Sequence, residues 1–250
     1  MPGRLYHRWR RLRWWAQGML LGGFAVGIPL CGFLALNAYS QLQTNSLTYI
    51  RRWVDNPSSR SRLTTSRQAP CPGAPFLLPS EGLMGLLWRD PALPYNVANR
   101  HSGIDVFGDG APGTIPVVAA YEGYLSRLDG WVSSVIIRHD DPLQPGRTIW
   151  TYYTHMASRE GESYIAADFP PGTQDKWVEQ GTLLGYQGVY SGSRRPVGLH
   201  LHFSIVKSYP NGTFKNETNV DNTLDPSPYL GMPLNIDTRP ERPIRCDASE

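Results

Sequence analysis

The chain has 250 residues, of which 25 are glycine, 22 proline and 18% charged. That length holds one main domain with short appendages, and glycine and proline mixed with Tyr, Trp, Val and Thr speak for strands and turns against a helical bundle. The formal net charge is +3, yet Arg4, Arg8, Arg10, Arg11 and Arg13 alone exceed it, so the remainder is net negative and no nucleic-acid partner is expected.

In chain order, residues 1–13 form a basic segment. Residues 14–36 (WWAQGMLLGGFAVGIPLCGFLAL) carry no charged side chain. As a helix rising about 1.5 Å per residue they would cross a hydrocarbon core of roughly 30 Å. Trp14 and Trp15 fall at an interfacial aromatic belt, and the arginines before them place the N-terminus in the cytoplasm and the rest outside. We therefore expect a transmembrane anchor over 14–38. The alternative is a signal peptide cleaved near Ala38, against which the apolar run is longer than the usual signal core of roughly 7–15 residues. Both readings export the domain. The Arg10–Arg11 pair lacks the surroundings of a twin-arginine signal.

Residues 39–70, rich in Ser, Thr, Asn, Gln and Arg, read as a stalk with a short helix around Leu47–Val54. A domain is expected over 71–232, where short apolar runs alternate with Gly, Pro, Asp and Asn. Candidate strands are Gly103–Val106, Val117–Ala120, Gly123–Leu128, Ser134–His139, Ile149–His155, Leu183–Gln187 and Leu199–Val206. The spacing predicts a mainly β fold, an antiparallel sandwich or rolled sheet. Residues 233–250, with Pro233, Pro240 and Pro243, read as an irregular tail. Of the three cysteines, Cys31 lies in the apolar segment, while Cys71 and Cys246 flank the domain and could pair in an oxidising compartment; the spacing leaves that open.

The chemistry concentrates in the histidines. His101 and Asp105 occur in HSGID, and His200 and His202 in GLHLHFSI. Alternation in a strand points His200 and His202 the same way, with Leu201 behind them. Zinc takes imidazole nitrogen and carboxylate oxygen, and three protein ligands leave a fourth position for water. His101, Asp105 and one histidine of the pair make such a set.

HSGIDVFG resembles the H-x-G-x-D motif of the lysostaphin/LytM-type zinc endopeptidases, which act on peptidoglycan. The resemblance continues in order through PVVAAYEGYLSRL (116–128), VIIRHDD with TIWTYYTHM (135–156), WVEQGTLLGYQGVYSGS (177–193), LHLHFSI (199–205) and DPSPYL (225–230). With the motifs, it implies a metal site in a surface groove, one zinc ion per chain held by His101, Asp105 and His202. His155 and His200 would flank the water that zinc activates, one as general base and one as electrostatic stabiliser, an assignment the sequence leaves open. Tyr153 would share the face of His155 in a regular strand, as an oxyanion or substrate donor; the alternative is a packed aromatic. His139 is similar to a family histidine that is not a ligand. NGT (211–213) and NET (216–218) read as chance matches to a glycosylation acceptor.

Two stretches depart from the family pattern. SREGESYIAADFPPG (158–172) lengthens the connection after His155, and SGSRRPVG precedes the HLH pair, bringing Arg194 and Arg195 near the groove as candidate contacts for a substrate carboxylate or as solvated loop charges. Either loop could partly cover the site.

The function expected is hydrolysis of amide bonds in peptidoglycan peptides, by a membrane-held domain with cell-envelope proteins as further partners. The alternatives are a non-catalytic LytM-like module that activates or scaffolds wall hydrolases, and a carbohydrate-binding sandwich with a structural metal, which would need neither His155 nor His200.

Overall fold

A computed structural model describes residues 29–39, 44–193 and 197–247. Helix α1 covers 29–39 and belongs to a separate unit that ends at Gln43; Leu30, Phe33, Leu34 and Leu36 on it are exposed. Residues 14–28 of the expected anchor lie outside the described residues, and among the described ones no helix is long and apolar enough to cross a membrane.

From Thr44 onward the chain forms one unit. Helices α2 (Ser46–Asp55) and α3 (Arg60–Leu63) precede ten strands: β1 (Leu83–Met84), β2 (Ile104–Phe107), β3 (Pro116–Val118), β4 (Gly123–Ser126), β5 (Val135–Asp140), β6 (Thr148–Thr154), β7 (Lys176–Val178), β8 (Leu183–Tyr186), β9 (Leu201–Lys207) and β10 (Thr223–Leu224). Helix α4 (Ser227–Leu230) follows. The main sheet runs β1-β2-β9-β6-β5-β4-β7, with β10 also on β9, and β3 and β8 form a second, two-stranded sheet. All these pairings are antiparallel. The seven expected strands are all present. The three not expected, β1, β7 and β10, are two or three residues long, too short for alternation to register.

The period of two sorts the sheet's faces. Ile104, Val106, Leu125, Ile137, Ile149, Tyr153, Leu201, Phe203 and Ile205 point into the main core. The opposite face carries a small cluster, Ile136, Trp150 and Val206 with Trp131, Tyr152 and Phe214 against it, and beside that the histidine site. Close approach of β2 and β9 depends on Gly103, where a Cβ would stand 2.1 Å from the Phe203 carbonyl oxygen. The glycine of HSGID is thus a packing requirement of the strand pair that holds the site.

The segment read as a stalk packs on the domain from Thr44 on. In α2, Tyr49, Ile50 and Trp53 share one helix face and meet Leu63, Leu83 and Phe107. Thr44 Oγ1 donates to Asp90 Oδ2 at 3.3 Å, and the buried Ser46 hydroxyl donates to the same oxygen. The tail, though irregular, is also packed. Leu234, Ile236 and Ile244 are buried, the Arg242 guanidinium donates to the Met84 and Gly85 carbonyls, and Cys246 is disulfide-bonded to Cys71.

Candidate metal centre

Three elements bring the site together. The loop entering β2 supplies His101, β2 itself supplies Asp105, and β9 with the residue before it supplies His202 and His200. Asp105 is the register partner of His202. Backbone bonds from Arg89 N to His101 O (2.9 Å) and from His101 N to Asp90 O (3.0 Å) fix the loop.

His101 Nε2, Asp105 Oδ1 and His202 Nδ1 stand at the corners of a small triangle. The edges are 3.0 Å between the two nitrogens, 3.1 Å from His101 to Asp105 and 2.9 Å from His202 to Asp105. These approach the roughly 3.3 Å edge of a tetrahedron with zinc–ligand bonds of about 2.0–2.1 Å. All three residues are buried.

Three of the four site imidazoles have their tautomer set by the backbone. His101 Nδ1 donates to Leu87 O at 3.0 Å, His155 Nδ1 to Tyr190 O at 2.6 Å, and His200 Nδ1 to Gly198 O at 2.7 Å. In their neutral forms each therefore carries its lone pair on Nε2. His101 directs that lone pair at Asp105 and His202, where two nitrogens and a carboxylate oxygen crowd one point and call for a shared cation. The donor set fits zinc. His202 is turned the other way, Nδ1 to the cluster and Nε2 towards Glu217 Oε2 at 3.5 Å.

His200 Nε2 lies 3.7 Å from Asp105 Oδ1, its ring stacked on Phe107 with centroids 4.9 Å apart. His155 and His200 are neighbours, ring centroids 4.5 Å apart. The shared face expected for the HLH pair is present, and Leu201 behind it is fully buried.

Burial pushes the His155 imidazole down to about 3, reinforced by His200 and His202, and burial lowers His200 as well. Burial thus holds both in the neutral form, with the lone pair on Nε2. Burial opposes ionisation of Asp105, but the neighbouring His101 and His200, with His202 at 2.9 Å, hold it well below the usual carboxylate range. Burial likewise lowers His202, and Asp105 with Glu217 outweighs it and raises the imidazole. The cluster favours positive charge at this point.

An open groove of about 420 Å³ runs beside the His101–Asp105–His202 cluster, bordered by Tyr95, Ser134, Tyr152, Thr154, His155, Tyr190, His202 and Glu217. Tyr153 is not on it. That residue is fully buried, and its hydroxyl accepts the Ala120 amide at 2.9 Å on the core side. The expectation assumed a regular strand, but β6 ends at Thr154 and His155 has φ +75°. This left-handed residue breaks the alternation and returns the imidazole to the groove side, while Tyr153 stays in the core. The groove tyrosine of β6 is Tyr152, whose hydroxyl donates to Ser134 Oγ at 3.0 Å.

His139 is a core residue: Nδ1 donates to Glu122 O at 2.6 Å and Nε2 accepts from Thr151 Oγ1 at 2.7 Å. The insertion 158–172 contributes no groove-lining residue. It packs around the Arg127 guanidinium, which donates to Phe169 O at 2.8 Å and Ser163 Oγ at 3.1 Å. Arg194 and Arg195 lie outside the described residues. Glu217 escaped the sequence reading because it follows the last motif of the HLH strand and falls in a tripeptide read as a chance match.

No family model and no curated protein matches the chain. Several solved structures do. The antimicrobial peptidase lysostaphin from Staphylococcus simulans aligns at 24% identity and TM-score 0.33, over 52% of this chain and 43% of its own. The likeness is to lysostaphin-type M23 peptidases. A point mutant of the catalytic domain of the prophage-encoded M23 protein EnpA from Enterococcus faecalis aligns at 26% identity and TM-score 0.34, covering 60% of this chain and 94% of that one. Csd3 from Helicobacter pylori aligns at 15% identity and TM-score 0.35, covering 76% and 38%. The chain thus spans less than half of the lysostaphin it matches.

Proposed function

We propose that this chain is a zinc endopeptidase that cleaves amide bonds in peptidoglycan peptides outside the cytoplasm. The observation that carries the chemistry is the shared arrangement of His101, His155 and His200. A backbone carbonyl holds Nδ1 of each, leaving Nε2 as the reactive nitrogen beside Asp105 and His202. The substrate class follows from the ordered motifs between residues 101 and 230. Extracytoplasmic placement is supported by the arginine-flanked apolar start of the sequence and by the Cys71–Cys246 pairing, which suits an oxidising compartment.

His101 Nε2, Asp105 Oδ1 and His202 Nδ1 would hold zinc. When bound, zinc acts as a Lewis acid on water and on the scissile carbonyl. His155 and His200 do the proton work. With Nδ1 committed to Tyr190 and Gly198, each can exchange a proton only at Nε2, and burial keeps each in the neutral form that leaves this lone pair open. An extended peptide laid in the groove would meet the hydroxyls of Ser134, Tyr152 and Thr154, which are bonded to one another along one wall.

The test is metal content together with release of new amino groups from purified peptidoglycan, for the full chain and for His155→Ala and His200→Ala. We expect one zinc per chain in all three. Loss of a positioned base or acid should lower hydrolysis by roughly 10²–10⁴-fold. Zinc binding with no hydrolysis by the unaltered chain would sink the peptidase reading in favour of a wall-hydrolase activator. Unchanged hydrolysis in both variants would sink the assigned roles.

A further inference from the structure

Glu217 lies on the connection between β9 and β10, outside every family motif above. Its Oε2 accepts the Ser102 hydroxyl at 3.1 Å and faces His202 Nε2 at 3.5 Å. That nitrogen is buried and has no hydrogen-bond partner. His202 is also the exception among the site imidazoles. In His101, His155 and His200 the nitrogen turned from the site rests on a backbone carbonyl, whereas His202 turns Nε2 away, towards a carboxylate. A histidine that ligates a metal through one nitrogen ordinarily donates its other N–H to a carboxylate, carbonyl or water, and that partner fixes both tautomer and ring orientation.

We propose that Glu217 is the positioning residue for His202. Its carboxylate accepts the Nε2 proton, which leaves the Nδ1 lone pair directed into the triangle with His101 and Asp105. A closure of about half an ångström brings the 3.5 Å separation to an ordinary hydrogen bond. Ser102, next to His101 on the loop entering β2, holds the carboxylate and so ties both ligand-bearing elements to one acid. A negative charge one imidazole away from the cation also raises the basicity of the ligand. The inference rests on the zinc reading of the site.

The experiment titrates zinc alone into the metal-free full chain against a chromophoric chelator, for the unaltered protein, Glu217→Ala and Glu217→Gln, with thermal melting of each metal-free form. Losing such a partner weakens metal affinity by about 10–100-fold, the result expected for Glu217→Ala. Glu217→Gln should recover part of it, because the amide oxygen still accepts from Nε2 while the charge is gone. Equal zinc affinity in the unaltered protein and Glu217→Ala would overturn the assignment and leave the zinc site standing. Affinity lost equally in both variants, in step with lower melting points, would also overturn it, because the residue would then be only structural. An unaltered protein that binds no zinc would overturn the zinc reading and this inference together.

Discussion

His139 shows how a buried histidine outside the site sets the pH response. Burial pushes its imidazole down to about 4, only partly offset by the Glu122 carbonyl and by Asp141 and Asp140. Unfolded, it titrates near its ordinary value of about 6.5. Between pH 6.5 and 4 the unfolded chain takes up a proton that the folded chain refuses. Stability is therefore lost as pH falls through that window and regained as it rises. Denaturant midpoints at pH 7 and pH 4.5 should show a drop in the unaltered protein that exceeds the drop in His139→Gln by about 2 kcal/mol. Equal drops would mean that His139 does not carry this effect. At the same scale, the clustering of His101, Asp105 and His202 was legible because HSGID and HLH are local patterns whose spacing survives folding. Tyr153 was misplaced because the +75° φ of His155 leaves no trace in the sequence. Glu217 was invisible because 115 residues separate it from Ser102, and only the fold makes them neighbours.

Among the elements, the long strands announced themselves through alternation, and the short helix expected around Leu47–Val54 is α2, but it was read as part of a stalk. Its three contact residues, Tyr49, Ile50 and Trp53, sit among Arg51, Arg52 and Asp55, so polar composition masked its packing against the domain. Helical spacing nevertheless gathers them onto one stripe, where they meet Leu63, Leu83 and Phe107. Phe107 in turn stacks on His200, so the helix backs the strand face that supports a catalytic candidate. Trp53 is only 4% exposed, and the Arg60 guanidinium lies 5.5 Å above its ring. Trp53→Ala should destabilise the protein by about 3–5 kcal/mol, the usual loss for a buried tryptophan. The check is the free energy of unfolding in urea. A change under about 0.5 kcal/mol, as at surface positions, would show that α2 is only loosely held.

Across the whole molecule, the segments before and after the sheet are tied to each other and to the core. The Cys71–Cys246 bridge closes a loop of 175 residues in sequence. Beside it, Asp247 N donates to Gly231 O at 2.8 Å, and Thr65 Oγ1 donates to Ile244 O at 3.1 Å. Arg242 reaches from the tail to the carbonyls of Met84 and Gly85, at the strand next to β2. These contacts order a tail whose one short helical turn, Ile236–Thr238, is too brief to register in a proline-rich sequence read as irregular. A bridge over so long a loop restricts the unfolded ensemble far more than the folded one, and its removal typically costs about 2–5 kcal/mol. The double substitution Cys71→Ser with Cys246→Ser should lower the unfolding free energy by that amount. Zinc affinity measured well below the melting point should remain as before, because neither cysteine touches the ligand set. Protease digestion below that temperature should then open the tail first, since only its hydrogen bonds and the packing of Leu234, Ile236 and Ile244 still hold it. Equal resistance of tail and sheet, with no loss of stability, would mean that packing and hydrogen bonds suffice and the bridge is redundant.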